Sequence, residues 1–118
     1  MFNFEKLNVW QKAIDFADLI YKHTREFPTD ERFGLTSQMR RAAVSVPSNI
    51  AEGHGRQSRP DYIRFLKTAR GSLMELQTQS TLAIELGFLK GTDALGELSA
   101  ETDRVLQGLI RGLEKLEH

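Results

Sequence analysis

Four stretches of this chain repeat apolar residues at steps of three and four, and none alternates apolar with polar residues over the length of a strand. Steps of three and four return to one face of an α-helix, so the pattern predicts helices and no sheet. Short connections between long amphipathic helices favour antiparallel neighbours. A length of 118 residues fits one domain. The sequence therefore predicts an all-α fold, an antiparallel up-and-down four-helix bundle in which residues 1–118 form a single domain.

Glycine, proline and capping residues indicate where the helices end. The first helix is predicted over residues 7–26 and the second over residues 35–52, where Gly53 and a further glycine act as the stop. The third helix begins with Ser58 as its N-cap, and the fourth runs from about Thr92 to the C-terminus. The apolar stripe predicted for the first helix consists of Trp10, Ala13, Ile14, Ala17, Ile20 and Tyr21.

The second helix contains residues that are unusual inside a helix. Pro47 removes a backbone hydrogen bond, so we expect a kink there. Ser45 and Asn49, on either side of it, are poor helix formers, and local rules broken in this way usually mark a packed or functional position. A polar stripe runs beside the apolar one, and we expect a second helix or a second subunit to pair with it. This structural or interface motif comprises Gln38, Arg41, Ser45, Pro47, Asn49, Glu52 and Gly53.

Positive charge is concentrated in the middle of the chain. The formal net charge is zero, yet residues 38–72 carry seven basic side chains against two acidic ones. Such a local excess can face an anionic partner although the whole chain is neutral. We expect contacts with nucleic-acid phosphates, and the alternative is a solvated helix face with local ion pairs such as Asp61–Arg64. The candidate nucleic-acid-binding residues are Arg40, Arg41, Arg56, Arg59, Arg64, Lys67 and Arg70.

The sequence offers no constellation of catalytic or metal-binding residues. Di-iron bundles need Glu-x-x-His on two helices, and this spacing does not occur. The chain has no cysteine, which excludes thiolate ligands and thiol nucleophiles. The turn around His54 could hold an anion through backbone N–H groups, although a helix end is the simpler interpretation. We therefore expect a protein that is not an enzyme and that uses no metal, cofactor or small-molecule substrate.

Aromatic residues are concentrated at the start of the chain, where seven of the ten lie within the first 33 residues. One helix cannot bury all of them against a single core stripe. Phe2 and Phe4 precede the first helix, and we expect them either to contact another subunit or to fold over the end of the bundle.

A nine-residue sequence in the second helix resembles a family signature. It reads Ser-Val-Pro-Ser-Asn-Ile-Ala-Glu-Gly at residues 45–53. It is similar to the signature of the four-helix-bundle proteins encoded by intervening sequences within bacterial 23S rRNA genes. The resemblance covers nearly the whole chain. Its flanking matches are Leu7-x-Val9-Trp10, the segment from Gly34 to Ala42, Arg64-Phe65-Leu66 and Gly71-Ser72-Leu73-x-Glu75-Leu76.

This resemblance implies a bacterial, ribosomal-protein-like bundle that assembles as a homopentamer. The family is distantly similar to the accessory protein of diversity-generating retroelements, a basic pentameric barrel that binds nucleic acid, although the present chain is neutral. The expected function is a non-enzymatic homo-oligomeric scaffold that binds RNA or DNA through a basic surface. The alternative is a protein–protein adaptor with no nucleic-acid role.

The sequence also indicates a location in the cell. Glu5 and Lys6 stand where a signal peptide would have its apolar segment. No apolar run approaches the roughly 20 residues that span a bilayer. We expect a cytoplasmic protein that does not associate with membranes.

Overall fold

The computed structural model describes residues 3–91 and 93–116. Two short 3-10 turns precede α1 and α2, and the described residues contain no β-strand, so the prediction of an all-α fold is confirmed. The four helices are α1 (Asn8–Thr24), α2 (Leu35–His54), α3 (Arg59–Glu85) and α4 (Asp93–Lys115).

Each helix packs against two others, in a ring. Helix α1 contacts α2 and α4, and α3 contacts the same two helices. This arrangement, in a molecule of 48 × 24 × 21 Å, is that of an antiparallel up-and-down four-helix bundle, as predicted. The contact between α2 and α3 is the most extensive of the four. In the described part of the chain, no helix is both long enough and apolar enough to cross a membrane.

All four helices meet in one tightly packed layer. Alanines at this level let the helices approach closely, while Phe16 and Leu73 fill the space between them. The gap that remains has no room for a water molecule. Thr102 is fully buried, and its hydroxyl donates a hydrogen bond of 2.7 Å to the Leu98 carbonyl. The residues around the gap are Ala13, Phe16, Ala17, Ala43, Val46, Leu73, Leu76 and Thr102.

The buried face of α1 differs from the predicted apolar stripe. Two residues of that stripe, Ile14 and Tyr21, are 39% and 37% exposed. Helix α1 has apolar side chains on two adjacent faces, because Trp10 and Ala17 also lie only half-buried beside the core. Periodicity reveals the helix but does not say which of two neighbouring faces meets the core. The apolar residues that α1 buries are Val9, Ala13, Phe16 and Ile20.

The ends of the helices agree with most of the capping signals. The Ser58 side chain accepts a hydrogen bond of 3.1 Å from the backbone N–H of Asp61, which confirms the predicted cap of α3. Helix α2 passes its predicted last residue, Glu52, by two positions and ends at His54, so of the two glycines predicted as the stop it is Gly55, the C-cap, that ends the helix. The helix also continues through Pro47, where the predicted kink stays a prediction.

Candidate nucleic-acid interface

The seven basic residues selected from the sequence lie in three places. One group lies along α2 on the side of α1, one at the turn from α2 to α3, and one on the side of α3 that faces α4. The groups are Arg40 with Arg41; Arg56, Arg59 and Arg64; and Lys67 with Arg70.

At the turn from α2 to α3, two arginines lie over the same aromatic ring. The guanidinium carbons of Arg56 and Arg64 are 4.7 and 4.6 Å from the centroid of Phe65. At exposed sites each such contact contributes about 0.5–1 kcal/mol. Arg59, the first residue of α3, donates a hydrogen bond of 2.7 Å to the carbonyl of Leu116. The fold therefore brings Arg56 and Arg64 onto one ring, while Arg59, at the same turn, reaches the end of α4.

Carboxylates lie close to two of these arginines, in pairs that are local and exposed. Arg56 is 3.8 Å from Glu52, and Arg64 is 3.4 Å from Asp61. The second pair is the local ion pair that the sequence suggested as the alternative to phosphate binding. Exposed pairs of this kind contribute about 0–1 kcal/mol, so a phosphate can replace either carboxylate at little energetic cost.

The two cations on α3 that face α4 are paired across the helix interface. Lys67 Nζ lies 3.3 Å from Glu114, and Arg70 Nε donates a bond of 2.9 Å to Asp103. Asp103 also accepts a hydrogen bond of 2.7 Å from Gln107. These pairs join α3 to α4 in the described structure, so Lys67 and Arg70 are the least available of the seven for a phosphate.

Arg40 and Arg41 lie in a groove of about 710 Å³ between α1 and α2. The groove also contains Arg32 and Phe33, from the loop before α2, and neither belongs to the basic residues predicted from the sequence to bind nucleic acid. The sequence did contain a signal for these two residues. An aromatic residue beside an arginine in a polar loop has no position in the core, which indicates a role at the surface. The exposed Tyr21 of α1 forms part of the opposite wall.

The inner part of the α2 polar stripe contacts a helix of the same chain. The Ser45 hydroxyl lies 2.8 Å from the Ser72 hydroxyl of α3, at hydrogen-bonding distance. Asn49 donates its side-chain N–H groups to the carbonyl and the hydroxyl of Ser45, at 2.8 and 3.0 Å. We expected either a second helix or a second subunit to pair with this stripe, and for Ser45 the partner is a second helix, α3.

The other residues of the motif have different surroundings. Gln38, Arg41 and Glu52 are exposed, whereas Pro47 and Gly53 are buried. Gly53 lies against α3 so closely that an added Cβ atom would be 2.6 Å from the Cβ atom of Phe65. The glycine is thus required for the approach of α2 to α3, rather than for ending α2.

Replacing Ser45 with alanine is expected to lower the free energy of unfolding by about 1 kcal/mol, because hydrogen bonds to Ser72 and Asn49 are lost together. Ser48 is exposed on the same helix, so Ser48→Ala makes the same chemical change without these bonds. Urea unfolding monitored by circular dichroism measures both variants. Equal stability of the two would show that the hydroxyl pair contributes nothing.

The turn after α2 also contains a histidine and a tyrosine in contact. Their ring centroids are 5.7 Å apart, with the His54 and Tyr62 planes at 73°. Partial burial raises the pKa of the Tyr62 hydroxyl. His54 Nδ1 is buried and has no hydrogen-bond partner within the described structure. The His54 ring is thus a packing element of the contact between α2 and α3.

At the start of the chain, Phe4 packs on its own bundle. Its ring meets the Trp10 ring edge-on, with centroids 5.4 Å apart. This contact favours the second of the two expectations for Phe4, a segment folded over the end of the bundle. Phe2, the other residue of that expectation, lies outside the described residues.

The fold and the location of these residues define a class of protein. It is a helical bundle in which a polar motif pairs two helices and cations are exposed on the surface. The family model described as "23S rRNA-intervening sequence protein" matches residues 5–111. The chain therefore belongs to the family of 23S rRNA-intervening sequence proteins, as the signature at residues 45–53 indicated.

A solved structure supports the fold. The chain is similar to a protein with unknown function from the S23 ribosomal protein family of Bacteroides thetaiotaomicron, with a TM-score of 0.79 and 24% sequence identity. The alignment covers 87% of this chain and 95% of that chain. At this identity the likeness shows the fold alone. Among curated proteins, none matches this chain.

Proposed function

We propose that this protein is a non-enzymatic, homo-oligomeric scaffold that binds RNA through a basic surface. The observation that supports this best is the group of three arginines at the turn from α2 to α3. Arg56 and Arg64 share the Phe65 ring, and Arg59 lies at the N-terminus of α3. Together with Arg40 and Arg41, they are the five selected cations that form no ion pair between helices in the described structure.

Homo-oligomer formation has support from the surface of the bundle. Leu82 and Leu86, four positions apart and so on one face, are both exposed at the end of α3, and clusters of exposed apolar residues mark contact sites in soluble proteins. The resemblance to homopentameric relatives makes a pentamer the assembly to test. A cyclic pentamer would repeat the basic surface five times, and the repetition would raise the affinity for a long RNA. The exposed residues include Ile14, Val44, Leu82, Ile84 and Leu86.

Binding of a labelled single-stranded RNA across salt concentrations tests the proposal. With three to five phosphate contacts, log K is expected to fall against log salt with a slope of about −2 to −3.5 for a single strand. The double variant Arg56→Gln with Arg64→Gln is expected to weaken binding. Arg104→Gln, which changes an exposed arginine of α4, is the control.

Native mass spectrometry tests the assembly, and it should give five times the chain mass of 13.4 kDa. No binding at low salt would refute the RNA part, and a monomer would refute the assembly.

A protein–protein adaptor is the second candidate, and the end of α3 is the observation in its favour. Leu82, Ile84 and Leu86 are all exposed there. An adaptor that uses them would lose its partner with Leu82→Ser and Leu86→Ser, yet keep it after charge reversal at Arg64. The opposite result would favour nucleic acid.

A further inference from the structure

The groove between α1 and α2 combines cations and aromatic rings in its walls. Its walls combine three arginines, two aromatic rings and an exposed valine, and no acidic residue lines it. By contrast, the groove between α3 and α4 has Lys67 and Arg70 in its wall together with Glu114. The residues that the argument uses are Tyr21, Arg32, Phe33, Arg40, Arg41 and Val44.

The three arginines of the groove have no acidic partner. In the part of the chain that the structure describes, no carboxylate lies within ion-pairing distance of Arg32, Arg40 or Arg41. The neighbouring Glu31 directs its carboxylate to the backbone N–H of Leu35, at 3.1 Å. The groove therefore attracts an anion.

Arg40 is held in place before any ligand arrives. Its Nε donates a hydrogen bond of 2.8 Å to the Thr24 hydroxyl, and its guanidinium lies 4.7 Å from the centroid of the Tyr21 ring. Thr24 is itself buried, and its hydroxyl also donates to the Ile20 carbonyl at 2.8 Å. An arginine fixed in this way loses little side-chain entropy when it contacts a phosphate.

Phe33 is the most exposed large apolar side chain of the described residues, at 86%. Arg32 lies over the ring at 5.0 Å from the centroid, and the high exposure leaves the ring open to a further flat group. A phenylalanine kept in solvent does not contribute to the core, so packing within this chain does not explain it. Aromatic rings beside cations are the means by which proteins hold the bases of single strands.

We infer that this groove binds a single strand of nucleic acid, with a base stacked on Phe33 and the adjoining phosphates on Arg40 and Arg41. The inference rests on the proposed function and names both the surface and the form of the ligand. A duplex fits less well because its bases are stacked on one another and cannot lie on the ring. An acidic peptide would satisfy the arginines but leave the open ring without a partner.

A fluorescence-anisotropy titration with a single-stranded RNA of about 16 nucleotides tests this inference. Phe33→Ala is expected to weaken binding by roughly 5- to 100-fold, the range found for one lost stacking contact, whereas Phe33→Trp keeps it. Arg41→Gln is expected to reduce the salt slope by about 0.7, the value for one phosphate on a single strand. Arg104→Gln on α4 is the control for the arginine change, since Arg104 is exposed and does not line the groove. The unmodified protein is expected to bind a duplex of the same sequence no more tightly than the Phe33→Ala variant binds the single strand.

The outcomes separate this inference from the proposal on which it rests. If Phe33→Ala binds normally while Arg56→Gln with Arg64→Gln abolishes binding, the groove is not the site but the proposed function stands. If the unmodified protein binds no RNA, both are wrong. If Phe33→Ala changes the oligomer mass and leaves RNA affinity intact, the groove is a contact between copies and the inference is overturned.

Discussion

Replacing Gly53 with alanine is expected to lower the free energy of unfolding by about 1–3 kcal/mol, the usual range for overpacking. The added Cβ atom would lie 2.6 Å from the Cβ atom of Phe65 and 3.1 Å from Cδ1 of Tyr62. The first contact cannot be relieved by rotating a side chain, because a Cβ atom is fixed by its backbone. Helices α2 and α3 would have to move apart, and their contact is the most extensive in the bundle.

A glycine elsewhere in the bundle supplies the control, and the sign of its effect is opposite. Gly71 lies inside α3, and an added Cβ atom there would meet no atom within 4 Å. Because alanine is the better helix former, Gly71→Ala is expected to raise stability by about 0.5–1 kcal/mol. Guanidinium unfolding at one protein concentration measures both variants. If Gly53→Ala were also stabilising, the close approach of α2 to α3 would not be what requires glycine at position 53.

Truncating Leu73 to alanine is expected to have the largest effect on stability of any change considered, a loss of about 2–5 kcal/mol. Leu73 is fully buried, in the layer where all four helices meet. The neighbouring alanines cannot extend into the space that the missing atoms leave, so a cavity would remain. The loss would appear in thermal unfolding as a clear fall in Tm.

Leu116, after the end of α4, offers the same chemical change at an exposed position. Leu116→Ala is expected to stay within about 0.5 kcal/mol of the unmodified chain. Both variants are compared at equal protein concentration, because any association would make Tm depend on it. Equal losses in the two variants would contradict the assignment of Leu73 to the centre of the core.

The overall fold could be predicted from the sequence because its signals are local. Ser58 and the proline two positions later determine the start of α3 through contacts within one turn. Leu66 and Leu73, seven positions apart on α3, are both fully buried, as the three-four spacing of apolar residues on one helix face requires. Local signals did not predict features that depend on contacts between neighbouring helices. Gly53 looked like a stop for α2, but its function is to admit Phe65, which lies twelve positions further along the chain.

The candidate interface was less predictable, since it depends on contacts between distant residues. Lys67 and Arg70 counted as available cations in the sequence, yet their carboxylate partners lie on α4. Conversely, Arg32 belongs to a short loop with acidic neighbours, and only the structure shows that it lies in a groove without acidic walls. A count of charges along the chain therefore overestimates the availability of Lys67 and Arg70 and underestimates that of Arg32.

The unequal packing of the helices also determines how the bundle opens. The free energy of local opening follows local burial, so a pair of helices with an extensive contact exposes its amide protons to exchange only when the whole fold unfolds. Helices α2 and α3 form that pair, whereas α4 meets its neighbours over smaller contacts. The family signature at residues 45–53 lies on this pair. We therefore expect the segment by which the family is recognised to exchange its amide protons slowest, and α4 to exchange faster, as amide hydrogen exchange would show.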